Sequence, residues 1–116
     1  LHNHKIVNVM QVELQIKLTE EAKKYIEKEE TRIGKAAAIE IAESRYRSWS
    51  GAMCSSIIVD LVDSESYYFE RHASEYEKIE GEHTIYVLKQ VKQHIPTQFT
   101  IDAYGWGPFK QLVIRR

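Results

Sequence analysis

Val12-Glu13-Leu14-Gln15-Ile16-Lys17-Leu18-Thr19-Glu20-Glu21-Ala22-Lys23-Lys24-Tyr25-Ile26 changes its hydrophobic period once, at Thr19. Before that point Val12, Leu14, Ile16 and Leu18 alternate with polar residues, the period of a half-buried strand. After it Ala22, Tyr25 and Ile26 recur at the spacing of one helix face, while Lys23, Lys24, Glu27 and Lys28 cover the rest. Thr19 offers an N-cap oxygen, and Glu20 and Glu21 lie where the helix dipole favours carboxylates. The helix should end before Gly34. The chain therefore enters its fold as strand, then helix.

Beyond Gly34 most signals are those of strands. Ala37, Ile39 and Ile41 alternate with Ala38, Glu40 and Ala42, and Ile57-Ile58-Val59-Asp60-Leu61-Val62 is short and β-branched. The Ser and Gly content of the stretch between them, Glu43 to Ser56, predicts a loop or an irregular edge. Tyr67-Tyr68-Phe69 reads as a short strand or an aromatic face. Glu80-Gly81-Glu82 reads as a turn into Thr84-Ile85-Tyr86-Val87-Leu88. Leu88, Val91 and Ile95 are spaced for a short helical segment that Pro96 terminates. Phe99, Ile101 and Ala103 alternate again, Gly105 and Gly107 around Trp106 make a tight corner, and a last strand runs through Leu112 and Ile114.

The total is roughly six or seven short strands and one principal helix. That is an α+β fold, a single small β-rich domain over residues 11–116 with mainly antiparallel strands. Residues 1–10, which include His2-Asn3-His4-Lys5, read as an N-terminal tail, left by a tag or continuing a longer chain.

Composition narrows the classes. With 116 residues, 43% hydrophobic and 28% charged, the chain builds one modest core and not two. A net charge of −1 argues against nonspecific nucleic-acid binding. No apolar run approaches the roughly 20 residues of a membrane-spanning helix. The polar start lacks the apolar region of a signal peptide. One cysteine excludes an intramolecular disulfide, so the expected localisation is cytoplasmic.

The order of features resembles the HesB/IscA-like small proteins of iron–sulfur biogenesis, particularly their short CC/Se-motif relatives. Ile16-Lys17-Leu18-Thr19-Glu20-Glu21-Ala22 is similar to the family's I-x-[IL]-T-x-x-A entrance into its helix. Ser50-Gly51-Ala52-Met53-Cys54-Ser55 lies where those proteins carry their first cysteine after a strand. Ile101-Asp102-Ala103-Tyr104-Gly105-Trp106-Gly107-Pro108-Phe109-Lys110 resembles the end of the short relatives, at the place of the C-G-C-G of IscA-type proteins. The resemblance implies a HesB-like fold and, where the motifs are complete, thiolate chemistry.

The motifs here are not complete. Tyr104-Gly105-Trp106-Gly107 keeps both glycines of C-G-C-G and puts aromatics at both ligand positions. Where the CC/Se relatives carry adjacent cysteines, or selenocysteine and cysteine, this chain has Cys54-Ser55. Serine is a poor ligand for soft iron–sulfur or zinc chemistry. A lone thiol cannot close a site of typically four ligands within one chain. Only Cys54 carries over.

Each candidate has a plain structural alternative. Cys54 is either a thiol activated by a nearby Arg45 or Arg47, or a small buried hydrophobe beside Met53. Arg45-Tyr46-Arg47-Ser48-Trp49 mixes cations and aromatics, so Arg45, Arg47 and Trp49 are the anion- or RNA-binding candidates. The alternative is an amphipathic edge strand. His72, His83 and His94 lack the close spacing of a metal motif and read as independent surface histidines. Trp106 between glycines either lines a small pocket or a dimer seam or, as expected here, packs over the sheet end near Phe99, Phe109 or Leu112, so that Trp106→Ala would cost about 3–5 kcal/mol.

No P-loop, nucleophile elbow, HExxH or dinucleotide fingerprint is present. The expectation is a noncatalytic HesB-like domain, a structural or interaction module that has lost iron–sulfur ligands. The alternatives are thiol redox or persulfide/selenium handling through Cys54, and weak anion or RNA binding through Arg45, Arg47 and Trp49. No catalytic residue, metal or cofactor is expected, except an iron–sulfur cluster if subunits of a homodimer share Cys54. The expected partner is a protein, a second copy of this chain included; nucleic acid is disfavoured and no membrane is expected.

Overall fold

The switch at Thr19 is where sheet becomes helix. The computed structural model describes residues 14–47, 50–51 and 53–115. In it β1 (Gln15–Leu18) leads into α1 (Glu20–Ile33). Thr19 Oγ1 accepts the Ala22 amide at 3.1 Å, and the same hydroxyl donates to Asp102 Oδ1 at 2.6 Å. One side chain thus caps the helix and ties its start to a distant strand. At the other end Gly34 takes φ 81°, a left-handed cap that glycine adopts without a Cβ penalty. Its amide donates to the Glu30 carbonyl at 2.8 Å.

The elements that follow are β2 (Ala37–Arg47), β3 (Met53–Asp63), α2 (Tyr67–Arg71), β4 (Tyr76–Ile79), β5 (Ile85–Leu88), α3 (Lys89–Lys92), β6 (Gln98–Tyr104) and β7 (Gln111–Arg115). The described strands form two sheets, ordered β1-β6-β7 and β3-β2-β5-β4. β1 runs parallel to β6 and β2 parallel to β5, while the other three ladders are antiparallel. The domain is α+β, mostly antiparallel, with one substantial helix.

A single core joins both sheets to α1. Ala22 and Ile26 of α1, Ile39 and Ile41 of β2, Val87 of β5 and Ile101 of β6 are all fully buried. The helix buries Ala22 and Ile26, Tyr25 sits half-buried at the edge of that face, and Lys24 and Lys28 stay outside. Removing such side chains from water is the main stabilising term. No helix among the described residues is long and apolar enough to cross a membrane.

Three local expectations change. The stretch from Glu43 to Ser56 is not a loop: β2 and β3 form a hairpin of 11 paired positions, from Ala37↔Asp63 to Arg47↔Met53. The Ser and Gly signals belong to its tip and end, while an unbroken backbone ladder carries Ser44, Ser55 and Ser56 as strand residues. The stretch 67–69 is not a strand. It opens the short helix α2, capped by Ser66, whose hydroxyl accepts the Tyr68 amide at 3.2 Å. Finally, helical geometry between Leu88 and Ile95 is confined to α3, although Val91 and Ile95 are both buried as their spacing implies.

Candidate functional site

The site is built where β6 hands over to β7. Their ladder ends at Tyr104↔Gln111, and residues 105–110 turn the chain around. Gly105 takes φ 101° and Gly107 φ 55°, both left-handed values that side chains resist. At Gly105 the constraint is also one of space: an added Cβ would lie 2.6 Å from the Phe109 carbonyl oxygen. A short 3₁₀ turn follows, with the Phe109 amide donating to the Trp106 carbonyl at 3.0 Å. The path of the corner therefore depends on its glycines, Gly105 above all.

Its aromatics point outward. Trp106 is 74% exposed and Phe109 70% exposed, and the two rings meet edge to face at 5.6 Å. Tyr104 at the strand end is also exposed. This corrects the expectation that Trp106 plugs the sheet end. Phe99 and Leu112 are buried at 4% and 5% exposure, but Trp106 lies past the last ladder pair. No sheet surface remains beneath it to cover.

Beside the corner runs an open groove of about 750 Å³. One wall is the outer face of α1, carrying Lys24, Tyr25, Lys28 and Arg32; the other is Gly105–Pro108 with Lys110. Two carboxylates also line it, and both are engaged. Glu29 takes a two-pronged hydrogen bond from Arg32 at 2.9 and 3.1 Å, which holds its carboxyl below the usual range. Glu21 lies 3.7 Å from Lys110. Burial, aided by the charge of Glu29, raises the Tyr25 phenol above its ordinary value.

Behind the corner, Asp102 fixes β6 in place. Its carboxylate accepts from Thr19 Oγ1 and from Arg115 Nε, each at 2.6 Å, and from the Ala103 amide at 2.9 Å. Those donors, the Thr19 hydroxyl first, hold it below the ordinary carboxylate range. Asp102 is a structural tie between helix start and corner.

The remaining candidates are less closely placed. Cys54 pairs with Tyr46 in the β2–β3 ladder, while Arg45 and Arg47 pair with Ser55 and Met53. The side chains of these six residues, and all of Trp49, lie outside the described ones. His72 is bound to Glu75 through Nδ1 at 2.6 Å. No group of three or more His, Cys, Asp or Glu among the described residues is arranged to hold a metal ion. The corner itself offers Tyr104, Trp106, Pro108, Phe109 and Lys110, none of them a soft donor, so these side chains do not fit iron–sulfur ligation. The groove was not singled out in the sequence. Its one signal there is the spacing of Lys24, Lys28 and Arg32, four residues apart on one helix face.

With fold and corner in place, the comparison with known proteins is informative at one level. The chain is similar to Escherichia coli SufA, a protein involved in biosynthesis of iron–sulfur clusters. Its crystal structure superposes with a TM-score of 0.53 over 87% of this chain and 79% of SufA, at 13% sequence identity. The fold is SufA-like. Identity this low establishes architecture and leaves chemistry to the residues. No protein-family model and no curated protein matches the sequence.

Proposed function

We propose that this chain is a noncatalytic interaction module on a SufA-like fold, whose C-terminal corner contacts a protein partner instead of ligating an iron–sulfur cluster. One observation carries the reading: Trp106 and Phe109 stand exposed, edge to face, on a tight turn whose path depends on its glycines. Aromatics of this kind dominate binding energy at interfaces. They add large contact area with little rotamer freedom to lose.

The test is anaerobic reconstitution of the full chain with iron and sulfide, followed by iron analysis and native mass. The protein should stay colourless and hold no stoichiometric iron. A stable cluster with stoichiometric iron overturns the reading. If that cluster appeared only in a dimer and vanished in Cys54→Ser, it would be assigned to a thiol shared between subunits.

A further inference from the structure

We infer that the groove between α1 and the C-terminal corner docks an acidic, extended protein segment that carries an apolar anchor beside its carboxylates. The inference rests on the interaction-module reading and names its partner class. Four cations line the groove, Lys24, Lys28, Arg32 and Lys110, against two carboxylates. Arg32 and Lys110 are taken by Glu29 and Glu21. Lys24 and Lys28 are exposed and their side chains make no hydrogen bond or ion pair among the described residues, although the charge of Lys28 also acts on the Glu29 carboxylate.

Two like charges one helical turn apart repel each other. An anionic occupant would relieve that repulsion. This positive stripe is a local property, because the chain as a whole carries a net charge of −1.

Geometry favours an extended peptide. Lys24 and Lys28 are separated by about 6 Å along the helix axis. Same-side residues of an extended segment recur at about 6.6 Å. Carboxylates at alternate positions can therefore face both lysines, while a neighbouring apolar side chain covers the Trp106 ring on the opposite wall. A nucleic-acid strand is the competing occupant, and the net charge of −1 over the whole chain disfavours it.

The probe is a fluorescein-labelled peptide with glutamates at alternate positions followed by Phe-Leu, titrated with the full chain and read by anisotropy. Binding should be saturable and should weaken as salt rises, because exposed charges are screened. Lys24→Glu with Lys28→Glu, and separately Trp106→Ala, should each weaken it about tenfold or more. All three positions are exposed, so these variants keep the fold. A peptide with lysines replacing the glutamates should not bind.

No saturable binding up to about 1 mM, or equal binding by either variant, overturns the proposal. Tighter binding of a uridine oligomer, lost in the lysine variant, also overturns it and assigns the groove to nucleic acid. Failure of the peptide with a colourless protein removes only this partner class. Formation of a stable cluster removes the module reading itself.

Discussion

Two aromatic groups of similar composition meet opposite fates in this domain. Around α2 and β4, Phe69 stacks on Tyr86 at 4.0 Å with the rings nearly parallel, and meets Tyr76 edge to face at 5.1 Å. Phe69 and Tyr76 are buried at 5% and 8% exposure. The Tyr76 hydroxyl donates to Glu40 Oε2 on β2 at 2.6 Å, which satisfies its polar end. At the C-terminal corner Trp106 and Phe109 also meet edge to face, yet both face solvent. Aromatic content does not decide burial. What decides it is a surface to pack against: Phe69 of α2 lies on Tyr76 of β4 and Tyr86 of β5, whereas the corner lies past the last ladder pair of its sheet.

That difference can be broken most severely at Phe69. Phe69→Ala should lower stability by about 3–5 kcal/mol, the range for deleting a buried phenylalanine, measured by equilibrium denaturation. A loss below about 1 kcal/mol would show that the stacked cluster is not a core.

Next is Gly105→Ala, which should cost roughly 1–3 kcal/mol because a left-handed backbone must accept a Cβ. The nearby Phe109 carbonyl has to move as well. Its effect should exceed that of Gly107→Ala, where nothing lies within 4 Å of the added Cβ. Equal losses at the two glycines would deny that close approach shapes the corner.

Tyr76→Phe should cost about 1.5 kcal/mol, the low end for a hydrogen bond to a charged group. It carries a pH signature. Burial first, and then the hydrogen bond to Glu40, raises the Tyr76 phenol far above its ordinary value. A group with a raised folded pKa contributes stability that is full below the unfolded pKa, about 10 for tyrosine, and is lost as pH rises beyond it. The denaturation midpoint of the native chain should therefore fall above about pH 10 more steeply than that of Tyr76→Phe. Parallel alkaline profiles would place the phenol in solvent.

The smallest change belongs to the largest side chain. Trp106→Ala should shift stability by no more than about 0.5 kcal/mol, as for other exposed positions, while weakening capture of the acidic peptide. A loss of about 3 kcal/mol or more would mean that the tryptophan packs after all.

Local chemistry was legible where a residue acts on its immediate neighbours. Thr19 caps α1 and Gly34 ends it, because N-cap oxygens and left-handed glycines act within a turn or two of the chain. The glycines of the corner are visible for the same reason. Their positive φ values are needed wherever the rest of the domain lies. The alternations at Ile39 and Ile41 and at Phe99 and Ile101 marked core faces that are indeed buried.

The misread positions all depend on distant partners. Ser44, Ser55 and Ser56 suggest a loop only until the ladder between β2 and β3 pairs them as strand residues. Tyr67-Tyr68-Phe69 has no period of its own. Burial of Phe69 follows from Tyr76 and Tyr86, which other elements bring to it. The groove likewise needs Lys24 and Lys28 of α1 to stand across from Trp106, far apart along the chain.

By itself the sequence determined a β-rich α+β domain with a capped first helix and a glycine corner without thiolates. Tertiary structure alone decided that Trp106 faces solvent and that a cationic helix face lies beside it. Capping, chirality and hydrophobic period act over a few residues, so they can be read along the chain. Exposure and charge juxtaposition depend on where remote segments come to rest, which the packing of the whole core decides.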